Sequence, residues 1–205
     1  MLKYIVAALI GYLFGAIQTG FILGKLIYKK DIRNHGNGNA GASNAVVAFG
    51  KKAGILTGAV DIIKAVIAIL LIRIIYMNNV ELETFWNLSY ITGFMVILGH
   101  NYPFYMRFKG GKGTAALVGM MFVVDIRLGL IGVLLMAAVA IITDYIVLGT
   151  MSLLLVMLVF TIGFRLTPIT ISMILMLISI SISKHHANFI RIKNKEETRI
   201  KGTLY

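Results

Sequence analysis

Cysteine is absent from this 205-residue chain, which excludes disulfides and thiolate metal sites. Charge is scarce as well. Only 14% of residues are charged, and eight acidic residues stand against twenty Lys and Arg, a formal net charge of +12. With 59% hydrophobic residues and a mean hydropathy of +0.88, a soluble domain of this size could not hide its apolar surface. The composition therefore reads as an all-α integral membrane protein. Residues 1–205 form one polytopic domain, with no room for a separate soluble one. The opening MLKYIVAALIGYLFGAIQTG lacks a convincing small-x-small cleavage site, and polar Gln18 interrupts its end, so it reads as a first transmembrane helix. No inverted repeat is evident, which weighs against an anion or lipid transporter.

A spanning helix needs roughly 20 apolar residues to cross a hydrocarbon core about 30 Å thick. Apolar runs predict seven helices, near residues 2–24, 53–76, 85–99, 113–125, 128–143, 145–163 and 168–183. The third and fourth are too short to span unaided. Each is expected to extend into a neighbouring loop or to stop partway, where irregular backbone is tolerated only if it is enclosed by protein or lines a wet cavity.

Seven spans sort the positive charges cleanly. One side receives Lys25, Lys29, Lys30, Arg33, Lys51, Lys52, Arg107, Lys109, Lys112, Lys184, Arg191, Lys193, Lys195, Arg199 and Lys201, fifteen of the twenty basic residues. Lys3, Arg73, Arg127 and Arg165 fall on the other side with Glu81 and Glu83, and Lys64 lies within a span. The positive-inside rule then places the N-terminus outside and the tail in the cytoplasm.

Two glycine-rich loops share that cytoplasmic face: RNHGNGNAGASN (Arg33–Asn44) and GHNYPFYMRFKGGKGTAA (Gly99–Ala116). Either alone is an ordinary feature of a membrane protein. Together on one face they point to a ligand. Glycines allow a backbone to approach closely, and a loop ending at a helix N-terminus offers unpaired N–H groups to an anion. Gly110, Gly111 and Gly113 lead into a helix opening at Thr114, and Lys109 and Lys112 add ammonium donors, so phosphate is the expected guest. Asparagines of the first loop can accept from a hydroxyl and donate to a phosphate. A nucleotide P-loop is excluded, because Met106 stands where its first glycine belongs and Gly113 where its Ser or Thr belongs.

Three other places carry polar groups at membrane depth. Asp61 and Lys64 share a helix face, either as a bundle-stabilising ion pair or as part of a substrate site. His100 reads as a base or as a structural hydrogen-bonder. His185, Asn188 and Arg191 form either a headgroup-facing tail or a third wall of the anion site.

At these residues the chain resembles the bacterial acyl-phosphate:glycerol-3-phosphate acyltransferases of the PlsY type. The block GH-x-x-P-x-x-x-x-FKGGKG is matched by Gly99, His100, Pro103 and Phe108–Gly113. R-x-x-GSGN-x-GA-x-N is matched by Arg33, Gly36, Gly38, Asn39, Gly41, Ala42 and Asn44. D-x-x-K corresponds to Asp61 and Lys64, and the tail block to His185, Asn188, Arg191 and Glu197. The resemblance implies a multi-pass enzyme of the bacterial cell membrane. It would pass an acyl chain from acyl phosphate to the sn-1 hydroxyl of glycerol 3-phosphate, giving lysophosphatidic acid for phospholipid synthesis. No cofactor, metal or nucleic acid is expected. The lipid bilayer and an enzyme producing acyl phosphate are the expected partners.

The resemblance assigns catalytic roles to Asn37, Asn39, Lys112, His185 and Asn188. Phosphate or substrate binding falls to Arg33, Gly36, Gly38, Gly41, Asn44, Asp61, Lys64, His100, Lys109, Gly110, Gly111 and Gly113, with Asn39 and Asn44 orienting the glycerol hydroxyl. The chain departs from the family pattern at several places. Ala16 and Gln18 replace a Ser and a Pro in the first block, which keeps Gly15, Gly20 and Lys25. Asn37 replaces a Ser and Val47 an Arg, while Asp144, Val147 and Thr150 align with R-x-x-S-x-x-S. A degenerate or acceptor-altered paralogue that binds acyl phosphate or lysophospholipid is the alternative reading.

Overall fold

The computed structural model describes residues 1–78, 80–164 and 166–201; Arg165, placed above on the external side, lies outside them. Among these residues the chain's regular elements are all helices. Its helices are α1 (Leu2–Ala16), α2 (Thr19–Leu26), α3 (Ala42–Phe49), α4 (Lys51–Tyr76), α5 (Leu82–Asn101), α6 (Thr114–Val124), α7 (Ile126–Thr143), α8 (Ile146–Gly163) and α9 (Pro168–Lys193). Among the described residues, five segments are long and apolar enough to cross a bilayer: Leu2–Leu26, Lys51–Tyr76, Ile126–Thr143, Ile146–Gly163 and Pro168–Lys193. The protein is thus a multi-pass, all-helical membrane protein.

Several boundaries differ from expectation, each for a physical reason. The first span is broken at Ile17 and Gln18, where the backbone turns extended. At that depth freed carbonyls need donors, and the fold supplies them. Lys64 Nζ donates to Gly15 O (3.1 Å) and Ile17 O (2.6 Å), Tyr105 OH to Ala16 O (2.7 Å), and Gln18 Nε2 to Gly15 O (3.3 Å) and also to His100 O on α5 (2.9 Å). The expected short run 85–99 extends at both ends to the 20-residue α5. By contrast α6 stays at 11 residues, about 16 Å long. It survives by enclosure: Ala116–Met121 and Val124 are buried among α4, α5, α8 and α9, and Arg73 Nη1 caps its far end at Val123 O (2.5 Å). The last helix runs ten residues beyond the expected end at 183, to Lys193, and α3 was expected as loop.

Small residues let the helices touch. α1 lies along α5, and a Cβ at Gly15 would sit 2.1 Å from Val96 O, so this seam admits no side chain there. Thr167 accepts from Thr170 N at the start of α9, just before Pro168, and Asp125 accepts from the Arg127 and Leu128 amides at the start of α7. Large apolar side chains such as Leu134, Ile142 and Ile74 point outward, a surface suited to lipid.

Candidate active site

The two loops meet. Arg33 sits in the 3₁₀ turn Ile32–Asn34 and is gripped by Asp31 through Nε (3.0 Å) and Nη2 (2.8 Å), while its Nη1 donates to Met106 O in the second loop (3.0 Å). The guanidinium holds the Asp31 carboxyl down at about 2. Farther along, a Cβ built on Gly41 would come 4.0 Å from Gly111 Cα. Arg33 is therefore a clasp between the loops, and it is not part of the cavity wall.

That wall encloses about 580 Å³. Its lining includes Asn37, Asn39, Gly41, Ser43, Asp61, His100, Lys112, Gly113, Thr114, His185, Asn188 and Glu197, together with apolar Ile62, Val118, Val133, Met136, Ile146 and Val147. Two helices begin here. α3 opens after Gly41 and α6 after Gly113, and neither has a side-chain cap. Helix N-termini without caps leave N–H groups and a positive dipole end for an anion. Gly113 has φ +82°, and its would-be Cβ meets Ile97 Cγ2 at 2.7 Å, so glycine is required at that turn.

The residues expected to bind substrate divide into two groups. Asn37, Asn39, Gly41, Asp61, His100, Lys112, Gly113, His185 and Asn188 all reach the cavity. Others are committed elsewhere. Asn44 is fully buried, its Nδ2 donating to the Ile32, His35 and Asn39 carbonyls and its Oδ1 accepting from Asn37 N (2.5 Å). It shapes the loop and faces away from any hydroxyl. Gly110 N and Gly111 N donate to Asn101 O (3.2 Å) and His100 O (3.0 Å), so these amides close the end of α5 and do not reach the cavity. The need for glycine at 111 is steric: a Cβ there would lie 2.0 Å from His100 Nε2. Gly36 and Gly38, both at positive φ, turn the first loop outside the wall, and exposed Lys109 is outside it too.

Lys64 ties the Asp61 pair into the fold. Its Nζ lies 2.7 Å from Asp61 Oδ1 and 3.0 Å from His100 Nδ1, in addition to the two carbonyls at the broken helix. It is a structural hub. His100 is thereby held at Nδ1 and pressed against Gly111 at Nε2. His185 differs: Nδ1 lies 2.9 Å from Ser181 O, which assigns the proton there and leaves Nε2 as the acceptor. Lys112 lines the cavity and donates to Asn188 Oδ1. Burial draws its ammonium down to about 8, a fall opposed by Glu197 and reinforced by Arg191 and Lys184.

Residues that sequence reasoning did not place include Ser43, Lys51 and Thr114, with Thr198 and Arg199 from the tail, all in the wall. Only long-range folding brings the tail there. Of the departures, Val47 and Val147 put apolar groups on the wall, and Thr150 bonds Thr114 Oγ1 (3.1 Å). Among the described residues no three His, Asp or Glu side chains converge as a metal-binding group.

Residues 5–195 match the family described as glycerol-3-phosphate acyltransferase. A glycerol-3-phosphate acyltransferase 1 of Oceanobacillus iheyensis is 41% identical over 96% of this chain and 95% of its own length. One from Pelagibacter ubique is 37% identical over 98% and 99%. The crystal structure of PlsY (YgiH), an integral membrane glycerol 3-phosphate acyltransferase, in its glycerol 3-phosphate form superposes with a TM-score of 0.84 at 29% identity, over 96% of this chain and 95% of that one. Its lysophosphatidic acid form gives 0.81 at 28% identity, over 98% and 96%. On the motifs, the fold and these relatives, the chain belongs to the glycerol-3-phosphate acyltransferase family.

Proposed function

We propose that this protein transfers an acyl group from acyl phosphate to the sn-1 hydroxyl of glycerol 3-phosphate, yielding lysophosphatidic acid and inorganic phosphate in phospholipid synthesis. The observation that carries this reading is one cavity lined by two unlike kinds of group. Lys112 and the uncapped starts of α3 and α6 supply the polar lining, while α4, α6, α7 and α8 supply the apolar one. Phosphoryl groups suit the first and a fatty chain the second.

The glycerol oxygen attacks the acyl carbonyl carbon, a C–O bond forms, and the carbonyl oxygen becomes an oxyanion. Collapse breaks the bond to the phosphate oxygen, and the hydroxyl proton ends on the departing phosphate. The sum therefore needs no outside acid or base. Lys112 neutralises charge on phosphoryl oxygens, Asn37 and Asn39 orient the acceptor, and His185 Nε2 relays the proton. Positioning and charge stabilisation supply most of the acceleration.

Counting α1–α2 as one broken transit with α4–α9 gives seven transits, an odd number that puts the termini on opposite sides. The basic segments then lie in the cytoplasm with the site, where an enzyme that makes acyl phosphate would deliver it. Because the chain has no native cysteine, single cysteines at Asn37 and Lys109 test this. An impermeant maleimide should label both from the cytoplasmic side, and labelling of either from outside would refute the orientation.

Purified protein given acyl phosphate and glycerol 3-phosphate should release phosphate and lysophosphatidic acid in equal amounts. Release no greater than that of Lys112→Ala would end the proposal. Val47 and Val147, apolar on the wall, favour an acceptor other than glycerol 3-phosphate as the second reading. Phosphate release that appears only with a different alcohol would select it.

A further inference from the structure

Lys112 owes its place to an amide, and the amide owes its orientation to a carboxylate on the tail. Glu197 follows α9 and folds back against it, its side chain only 8% exposed. Its Oε1 accepts from Asn188 Nδ2 (2.6 Å) and its Oε2 from Arg191 Nε (2.7 Å). A side-chain amide can present either end to a neighbour. With Nδ2 committed to the carboxylate, Oδ1 is the end left for Lys112 Nζ, which donates to it.

The tail has a second anchor. Ile200 N donates to Asp144 O (3.1 Å) and Lys201 N to Asp144 Oδ1 (2.9 Å), at a turn between α7 and α8 where Asp144 takes φ +67°. Residues 197–200 thus form part of the cavity wall, and Glu197 is held between α9 and the Asp144 turn.

Charge argues the same way. The groups that face Lys112 or share its wall are Lys184, His185 and Arg191 on α9, Glu197 and Arg199 on the tail, Lys51 and Asp61 on α4, and His100 on α5. Two are acids, and Asp61 is already paired with Lys64 at 2.7 Å. Glu197 also pairs with Arg191, and it is the acid whose charge opposes the effect of burial on the Lys112 ammonium.

We propose that Glu197 is a positioning residue: through the Asn188 amide and its own negative charge it holds the Lys112 ammonium in place. The proposal rests on reading Lys112 as the phosphate-binding cation, and its test is built to stand apart from turnover.

The full chain in detergent micelles is acetylated with trace acetic anhydride across a pH series, and the Lys112 peptide is quantified by mass spectrometry. The wild-type midpoint should lie near the value of about 8. Glu197→Gln keeps the hydrogen bond to Asn188 but removes the charge, and should lower that midpoint by about one pH unit. Glu196→Gln, on the neighbouring residue, should leave it in place. In turnover, Glu197→Gln should move the alkaline limb down by the same amount, and Glu197→Ala should lower kcat with no further loss on adding Asn188→Ala. A Glu197→Gln midpoint coinciding with wild type overturns the proposal, even if Glu197→Ala fails to fold. Absence of wild-type turnover would instead sink the acyltransferase assignment, while the labelling still decides the role of Glu197.

Discussion

Lys112 illustrates how one residue's surroundings set its chemistry. An ammonium near the mouth of a partly apolar cavity is drawn down to about 8 by burial, so it is charged at neutral pH and neutral above that value. Anion binding needs the charged form. Glycerol 3-phosphate affinity should therefore be highest near pH 7, above the second phosphate pKa of about 6, and should fall as pH rises through about 8, approaching tenfold per unit. A bound phosphate favours the ammonium, so the limb should move upward in the saturated complex. Lys112→Arg, whose guanidinium stays charged, should lose this limb altogether. Binding titrations across pH check both statements, and an unchanged limb in Lys112→Arg would assign the titration to another group.

Among the elements, the broken α1–α2 helix shows the division between what the residues announce and what only the fold provides. The apolar runs that became α4, α7 and α8 are legible because a lipid-facing helix must be apolar along its whole length. The loops are legible because glycine, asparagine and lysine have no other business between such runs. The break itself was not, although Gln18 marked the spot. Its distant donors are Lys64 and Tyr105, and the Gln18 amide in turn reaches His100 O on α5, contacts that join residues far apart in the chain. The same holds for the amides of Gly110 and Gly111, which look free in sequence and are spent on α5. α3 was hidden because eight residues after a glycine loop give too short a pattern to read. Removing the hub tests this account. Lys64→Met would leave the Asp61 carboxylate buried without its cation and strip two carbonyls of a donor, a cost of about 3–5 kcal/mol. Thermal unfolding in detergent should show a clear loss, partly recovered by adding Asp61→Asn. A melting temperature equal to wild type would mean the break is held by other groups.

At the scale of the whole molecule, helices of unequal length enclose a chamber lined by both polar and apolar side chains. The start of the short α6, at Gly113–Ala115, is part of that lining. If the apolar lining receives the acyl chain, narrowing it should shorten the preferred donor. Met136→Trp is expected to lower kcat/KM for long-chain acyl phosphates, with a loss of about 0.8 kcal/mol for each methylene excluded. Short-chain donors should be little affected. Equal losses at every length would place the chain elsewhere.

The central claim is that the loops carrying Asn39 and Lys112 hold one phosphate-bearing ligand between them. Calorimetric titration of glycerol 3-phosphate into wild type, Asn39→Ala, Lys112→Ala and the double variant tests it most directly. Each single change should weaken binding, by about 1.5–3 kcal/mol where the charged group is lost, and the double variant should lose less than the two effects combined. Wild-type affinity in either single variant, or strict additivity in the double, would show that the two loops do not share a ligand.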